Sequence, residues 1–339
     1  MKTLNIRVCQ VILLIFIGYC FSCKKNELGL SPKKLSSSDV ETPATQLTTI
    51  FEAGKHTFTD VQTCYDAKLF LLEDGRLKRL NGSKLEEVLP SSVYTDFKPK
   101  YLAISKDFTF YLRAPNRIKV IKGGTVIKYY KVGVAPLQDF TVENFGTWEL
   151  SVDESDQSIV FGVTNFNRAL FSLDKITKDG QYSILDIVGM SDDFNLFITS
   201  FGIGGKPGVI WDCGLAAFNG YYGKLFKSTI QSTPFGYILL TMYGADPTNH
   251  TGGLPVGAID LVQFQVMGYI EVSKDGKILY YKTGVFDDAT GVEDNGQIYK
   301  IADDQVSLIA ENINGKRLAI SNDGKTLYIA GNGLFKIDF

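Results

Sequence analysis

The side chains able to do covalent or metal chemistry are few. His56 and His250 are the only histidines, which excludes a histidine-rich metal centre and leaves few ways to assemble a Ser-His-Asp triad. His250 sits in the polar stretch Ala245-Asp-Pro-Thr-Asn-His-Thr-Gly-Gly253 and reads as a solvated loop residue. The sequons Asn249-His-Thr251 and Asn81-Gly-Ser83 mark exposed turns. Asp287, Asp288, Glu293 and Asp294 offer the carboxylate oxygens that Ca²⁺ requires. Their spacing matches no calcium loop, and Asn295-Gly296 is a good hairpin turn by itself, so no metal and no cofactor is expected. Gly202-Ile-Gly-Gly-Lys-Pro-Gly208 is glycine-dense but lacks the Lys-Ser/Thr ending and a following helix, and it is rejected as a phosphate cradle. No catalytic residue is assigned, because the Asp and Glu residues are too numerous to choose among.

The remaining chemistry is aromatic. Phe201 to Phe235 is rich in glycine and rings, among them Trp211, Phe218, Tyr221, Tyr222 and Phe226. It reads as irregular loops on a rigid scaffold, where binding tends to reside. Trp211, Tyr221 and Tyr222 are the candidate ligand-binding residues, since aromatic faces stack on sugar rings and anchor protein interfaces. The competing reading has these rings filling gaps between structural units, and Trp148 is assigned to the core.

The elements that must position these residues repeat along the chain. Ser273-Lys-Asp-Gly-Lys-Ile-Leu-Tyr280 and Ser321-Asn-Asp-Gly-Lys-Thr-Leu-Tyr328 are near-copies of one phrase. An alternating apolar stretch precedes each. Ser-x-Asp-Gly then turns the chain, with Gly free to adopt positive φ and Asp able to bond its own backbone. A second and a third strand follow, so each unit is an antiparallel meander. Weaker echoes are anchored at Asp66, Asp107, Asp156, Asp193 and Pro234. The spacings equal the length of a four-stranded propeller blade. The expected fold is therefore an all-β propeller of seven blades, with six or eight also open. Gln46-Leu-Thr-Thr-Ile-Phe-Glu52 reads like the outer strand Gln305-Val-Ser-Leu-Ile-Ala-Glu311 and is expected to complete the last blade, hiding a sheet edge. The phrase resembles that of WD40-like propellers of the TolB and surface-layer type. It resembles sialidase Asp-boxes less, because Asp275–Gly276 and Asp323–Gly324 are adjacent.

The first residues carry an address. Lys2 and Arg7 precede the apolar run Val8 to Phe21, too short to span a bilayer and suited to a signal-peptide core. Ser22 before Cys23 meets the small-residue requirement of a bacterial lipoprotein signal, with Cys20 an unusual upstream residue. Residues 1–22 are thus expected to be a lipoprotein signal peptide, with Cys23 the lipidated residue. Residues 23–45, rich in Ser, Thr, Pro and Lys, form a flexible tether, and residues 46–339 the propeller domain. Lys24-Lys25 after Cys23 favours the outer membrane of a Gram-negative bacterium, on either face. A formal net charge of -2 without a long basic run argues against nucleic acid. Cys64 and Cys213 remain in the body and are expected to be buried free thiols rather than a disulfide. The expected function is that of a membrane-anchored binding or scaffold module for a protein or glycan partner. The alternative is a propeller hydrolase or lyase acting on a carbohydrate or lactone, which would gather inward carboxylates with shifted pKa values in one pocket.

Overall fold

The computed structural model describes residues 46–339 except 115–116, 132–144, 166–169, 190–195, 205–208, 218–220, 234–235, 244–264, 288–290, 294 and 303–304. Cys23, the tether and His250 lie outside the described residues. The fold is a propeller. Blade 1 contains β2 (Phe58–Thr63), β3 (Leu69–Glu73), β4 (Arg76–Asn81) and β5 (Lys84–Glu87). Blade 2 contains β6 (Tyr101–Ile104), β7 (Phe110–Ala114), β8 (Arg117–Lys122) and β9 (Thr125–Lys131). Blade 3 contains β10 (Phe145–Asp153), β11 (Ser158–Asn165), β12 (Leu170–Ile176) and β13 (Tyr182–Gly189). Blade 4 contains β14 (Leu196–Gly204), β15 (Val209–Ala217), β16 (Tyr221–Thr233) and β17 (Gly236–Tyr243).

Blade 5 contains β18 (Gln265–Val272), β19 (Ile278–Asp287), β21 (Asn295–Ala302) and β22 (Gln305–Asn314), and the short β20 (Gly291–Glu293) adds a fifth strand by pairing with β19. Blade 6 contains β23 (Arg317–Ile320), β24 (Thr326–Gly331) and β25 (Gly333–Asp338), completed by β1 (Leu47–Phe51). β1 pairs antiparallel with β25, Leu47 opposite Ile337 and Thr48 opposite Lys336. The N-terminal strand therefore closes the last blade, as the likeness of Gln46–Glu52 to an outer strand indicates. The first strands β2, β6, β10, β14, β18 and β23 touch their neighbours in cyclic order and line the axis.

The expected count of seven blades is overturned. The described strands make five four-stranded sheets and one five-stranded sheet, and their inner strands close the ring without another unit. The extra unit came from blade 4. The Asp193 anchor precedes β14, the first strand of that blade, and the Pro234 anchor precedes β17, its fourth. β16 has 13 residues, longer than an ordinary strand, so the first and last strands of one blade start about one blade length apart.

Packing follows from strand alternation. Leu72, Leu102, Leu112 and Ile121 interlock blades 1 and 2, Ile118, Ile159 and Phe161 join blades 2 and 3, and Ile298, Leu318 and Ile329 join blades 5 and 6. The core is thus a series of wedges between blades. Gly202 in β14 serves this packing, because a Cβ there would stand 2.7 Å from Val272 Cγ2 on β18. The stretch Phe201 to Phe235, expected to be irregular loops, is largely β14, β15 and β16.

The repeated turn has one hydrogen-bond plan. Ser273 Oγ donates to Asp275 Oδ1 at 2.6 Å, Lys277 N to the same oxygen at 3.1 Å, and Ile278 N to Ser273 Oγ at 2.9 Å. Ser321 repeats this with Asp323, Lys325 and Thr326 at 2.6, 3.1 and 2.9 Å. Gly276 and Gly324 take positive φ, 74° and 71°. Blades 1 to 3 keep the positive φ with Ala67 (62°), Phe108 (58°) and Gln157 (62°). Cys64 replaces the serine in blade 1, its thiol donating to Asp66.

Candidate functional site at the mouth of the propeller axis

The turn plan positions a site. In each blade it fixes the backbone of the residue that follows the first turn position, the x of Ser-x-Asp. That residue is Tyr65 in blade 1, Lys106 in blade 2, Glu154 in blade 3 (in a turn one residue longer), Lys274 in blade 5 and Asn322 in blade 6. These residues come from distant parts of the chain and meet at one rim. Lys106 N donates to Glu154 Oε1 at 2.9 Å. Lys274 Nζ lies 5.5 Å from the centre of the Tyr65 ring and Lys106 Nζ 6.0 Å, within cation–π range. The Tyr65 hydroxyl bonds the Glu154 carboxylate. Asn322 Nδ2 donates to Cys64 O at 2.6 Å and ties blade 6 to the same rim.

Below this rim lies the axial cavity. Its empty space is about 820 Å³ including the part open to solvent. Asp60, Gln62, Glu154, Glu271, Lys274 and Arg317 give it polar walls. The deep wall is internally satisfied. Asp60 accepts from Val61 N at 2.9 Å and, across the blade boundary, from Leu102 N at 2.6 Å. The Arg317 guanidinium lies 4.9 Å from the ring centres of both Tyr101 and Tyr269, with Nε 4.0 Å from Asp60 Oδ1. These contacts join the inner strands of blades 1, 2, 5 and 6 and hold the ring together across its axis.

The mouth differs from the deep wall in its electrostatics. Burial pushes the Glu154 carboxyl above the usual carboxylate range. Asp107 pushes the same way, and the Lys274 charge, the Lys106 N–H and the Tyr65 hydroxyl partly oppose them. Burial and the adjacent Glu154 hold the Tyr65 hydroxyl above its ordinary value. Glu154 is therefore a half-buried acid whose proton affinity is raised beside a cavity, as proton-transfer sites require. Gln157 Nε2 donates to its second oxygen at 3.2 Å and fixes the carboxyl plane.

The structure separates the sequence-derived aromatic candidates. Trp211 is in β15, opposite Gly202 and Lys227, whereas Tyr221 and Tyr222 in β16 lie opposite Ala217 and Ala216. Five residues of strand, ~17 Å, separate the two positions. Cys64 is a buried free thiol, raised above its ordinary pKa by burial and by Asp66. Asp287 and Glu293 end the β19 and β20 strands of one hairpin, while Asp288 and Asp294 lie outside the described residues. Among the described residues no group of three or more His, Cys, Asp or Glu side chains is placed to hold a metal ion.

Fold and site together define a propeller, with six sheets among the described residues and a polar axial mouth. No protein-family model and no curated protein matches the chain. Among solved structures, it is similar to a gluconolactonase from Xanthomonas campestris, with a TM-score of 0.51 and 11% identity over 87% of this chain and 89% of that one. Fainter likenesses are to the hydrazine synthase of Kuenenia stuttgartiensis (TM-score 0.46, 13% identity, 92% and 99% of the two chains) and to the extracellular domain of a putative one-component system of B. thetaiotaomicron (TM-score 0.46, 12% identity, 87% and 40%). At 11% identity the likeness to the gluconolactonase shows the fold alone, which leaves function to the site.

Proposed function

We propose that the protein is a propeller hydrolase that opens a carbohydrate-derived lactone or a related ester at the axial mouth. The observation that supports this reading is Glu154, an inward carboxyl with raised proton affinity beside the axial cavity. A scaffold instead calls for a broad apolar face. The large exposed hydrophobics described on one strand, Val126, Ile127 and Tyr129, lie on the outer strand β9, where Lys128 and Lys131 break up the patch.

In the proposed reaction the ionised Glu154 takes a proton from water as the water oxygen attacks the lactone carbonyl. The ring C–O bond then breaks, and the departing oxygen takes that proton back from the Glu154 carboxyl. The product is a hydroxy acid and Glu154 is regenerated, a general base and acid in turn. Tyr65 and Gln157 hold the carboxyl in place. Glu154→Gln keeps the shape and removes the proton exchange, so gluconolactone hydrolysis by the purified chain should fall by roughly a hundredfold or more. Unchanged hydrolysis in the variant would refute the role.

The proposed setting is the envelope of a Gram-negative bacterium, with the domain tethered to the outer membrane through lipid on Cys23. Cys23→Ala should move the protein from the membrane to the soluble fraction of its native cell. Retention at the membrane would refute the anchor.

A further inference from the structure

The rim holds two lysine ammonium groups, of Lys106 and Lys274, that exchange no proton in the proposed chemistry, although the Lys274 charge also acts on Glu154. Lys106 and Lys274 occupy the same repeat position in blades 2 and 5, and both approach the Tyr65 ring. Among the described residues, no carboxylate lies within ion-pair distance of either ammonium, although Lys78, Lys122, Lys175 and Lys336 all form such pairs. Lys274 and Glu154 line the axial cavity, and Lys106 joins the same rim through its backbone bond to Glu154.

A lysine is a hydrated point charge on a flexible stem with three donors. Two of them on one rim, both within reach of the Tyr65 ring, suit an oxyanion that enters from solvent. We propose that Lys106 and Lys274 form an anion-binding collar, and that the ligand of the axial site is a small hydroxylated molecule bearing a carboxylate or phosphate group. This deepens the hydrolase reading and rests on it for the identity of the site. It accounts for a collar on the solvent side of Glu154, because opening a lactone creates a carboxylate there. The repeat position serves the role because the turn plan fixes its backbone and leaves its side chain free to vary.

The test is calorimetric titration of the purified full chain with gluconate, inorganic phosphate and glucose, in the wild type and in the double variant Lys106→Met, Lys274→Met. Gluconate or phosphate should bind about tenfold or more tightly than glucose, and the double variant should level the difference. Phosphate binding as tight as gluconate would assign the collar to phosphates, and gluconate alone would assign it to carboxylates. Equal binding of all three probes, or an anion preference that survives in the double variant, would overturn the collar. Absence of binding by every probe would overturn it too. Gluconolactone hydrolysis by the wild type separates the two ideas: a wild type that hydrolyses the lactone but shows no anion preference overturns the collar alone, and a wild type without hydrolysis refutes the hydrolase reading instead.

Discussion

Replace Gly324 by alanine and, in a separate variant, Ala67 by glycine. Both residues occupy the fourth position of the first hairpin turn in their blades, with φ of 71° and 62°. A Cβ at Gly324 would meet only Ile278 Cδ1, at 3.6 Å, an ordinary contact. The cost of the alanine is therefore conformational. Left-handed backbone costs a residue with a Cβ roughly 1–2 kcal/mol, and the lower unfolded-state entropy of alanine returns about 0.4–1 kcal/mol. Gly324→Ala should destabilise by about 1 kcal/mol. Ala67 is exposed, so Ala67→Gly removes the same strain without losing packing and should be neutral to about 1 kcal/mol stabilising. Urea unfolding followed by the fluorescence of Trp148 and Trp211 reads both as midpoint shifts. If Ala67→Gly costs as much as Gly324→Ala, the turns are not one structural unit and the repeat argument fails.

Other outcomes follow from buried charge and close approach. Lys175 is almost fully buried between Asp153 at 3.3 Å and Asp156 at 2.7 Å. Lys175→Met leaves Asp153 buried without its cation and should cost about 3 kcal/mol in urea unfolding. Because the Glu154 carboxyl is raised in the folded state, its contribution to stability is complete below the unfolded value of about 4.3 and is lost as pH rises through the folded value. Glu154→Gln should therefore melt higher than wild type at pH 7 and at the same temperature at pH 4. Gly333 has φ 110°, and a Cβ on it would lie 2.9 Å from Phe51 O. Gly333→Ala should loosen the β1–β25 seam, seen as faster amide hydrogen exchange across Leu47–Phe51.

The parts of the fold legible in the sequence were those whose turns carry their chemistry openly. Asp275-Gly276 and Asp323-Gly324 announce their hairpins because glycine takes positive φ without cost. Ala67, Phe108 and Gln157 adopt the same backbone without that signature, and the aspartates at 66, 107 and 156 alone kept those units visible. Blade 4 lacks that signature, because the sequence between β14 and β15 falls in the glycine run 202–208 and carries no Ser-x-Asp. Asp193 and Pro234, at the right spacing for two units, precede the first and last strands of this one blade. The mouth was hidden for another reason. Tyr65, Lys106, Glu154 and Lys274 stand where the repeat varies, so each looks like an unremarkable surface residue until the ring brings four blades together. Lining up the x positions of the repeated turn was the one signal in the sequence able to find them.

The most direct test of the central claim is the rate of acid release from gluconolactone, measured at pH 7 for the wild type, Glu154→Gln and a buffer blank. The account predicts wild-type hydrolysis well above the blank and a variant close to it, with both proteins folded by circular dichroism. A wild type no faster than buffer, or a variant as fast as the wild type, would contradict the assignment of the axial mouth as a hydrolytic site.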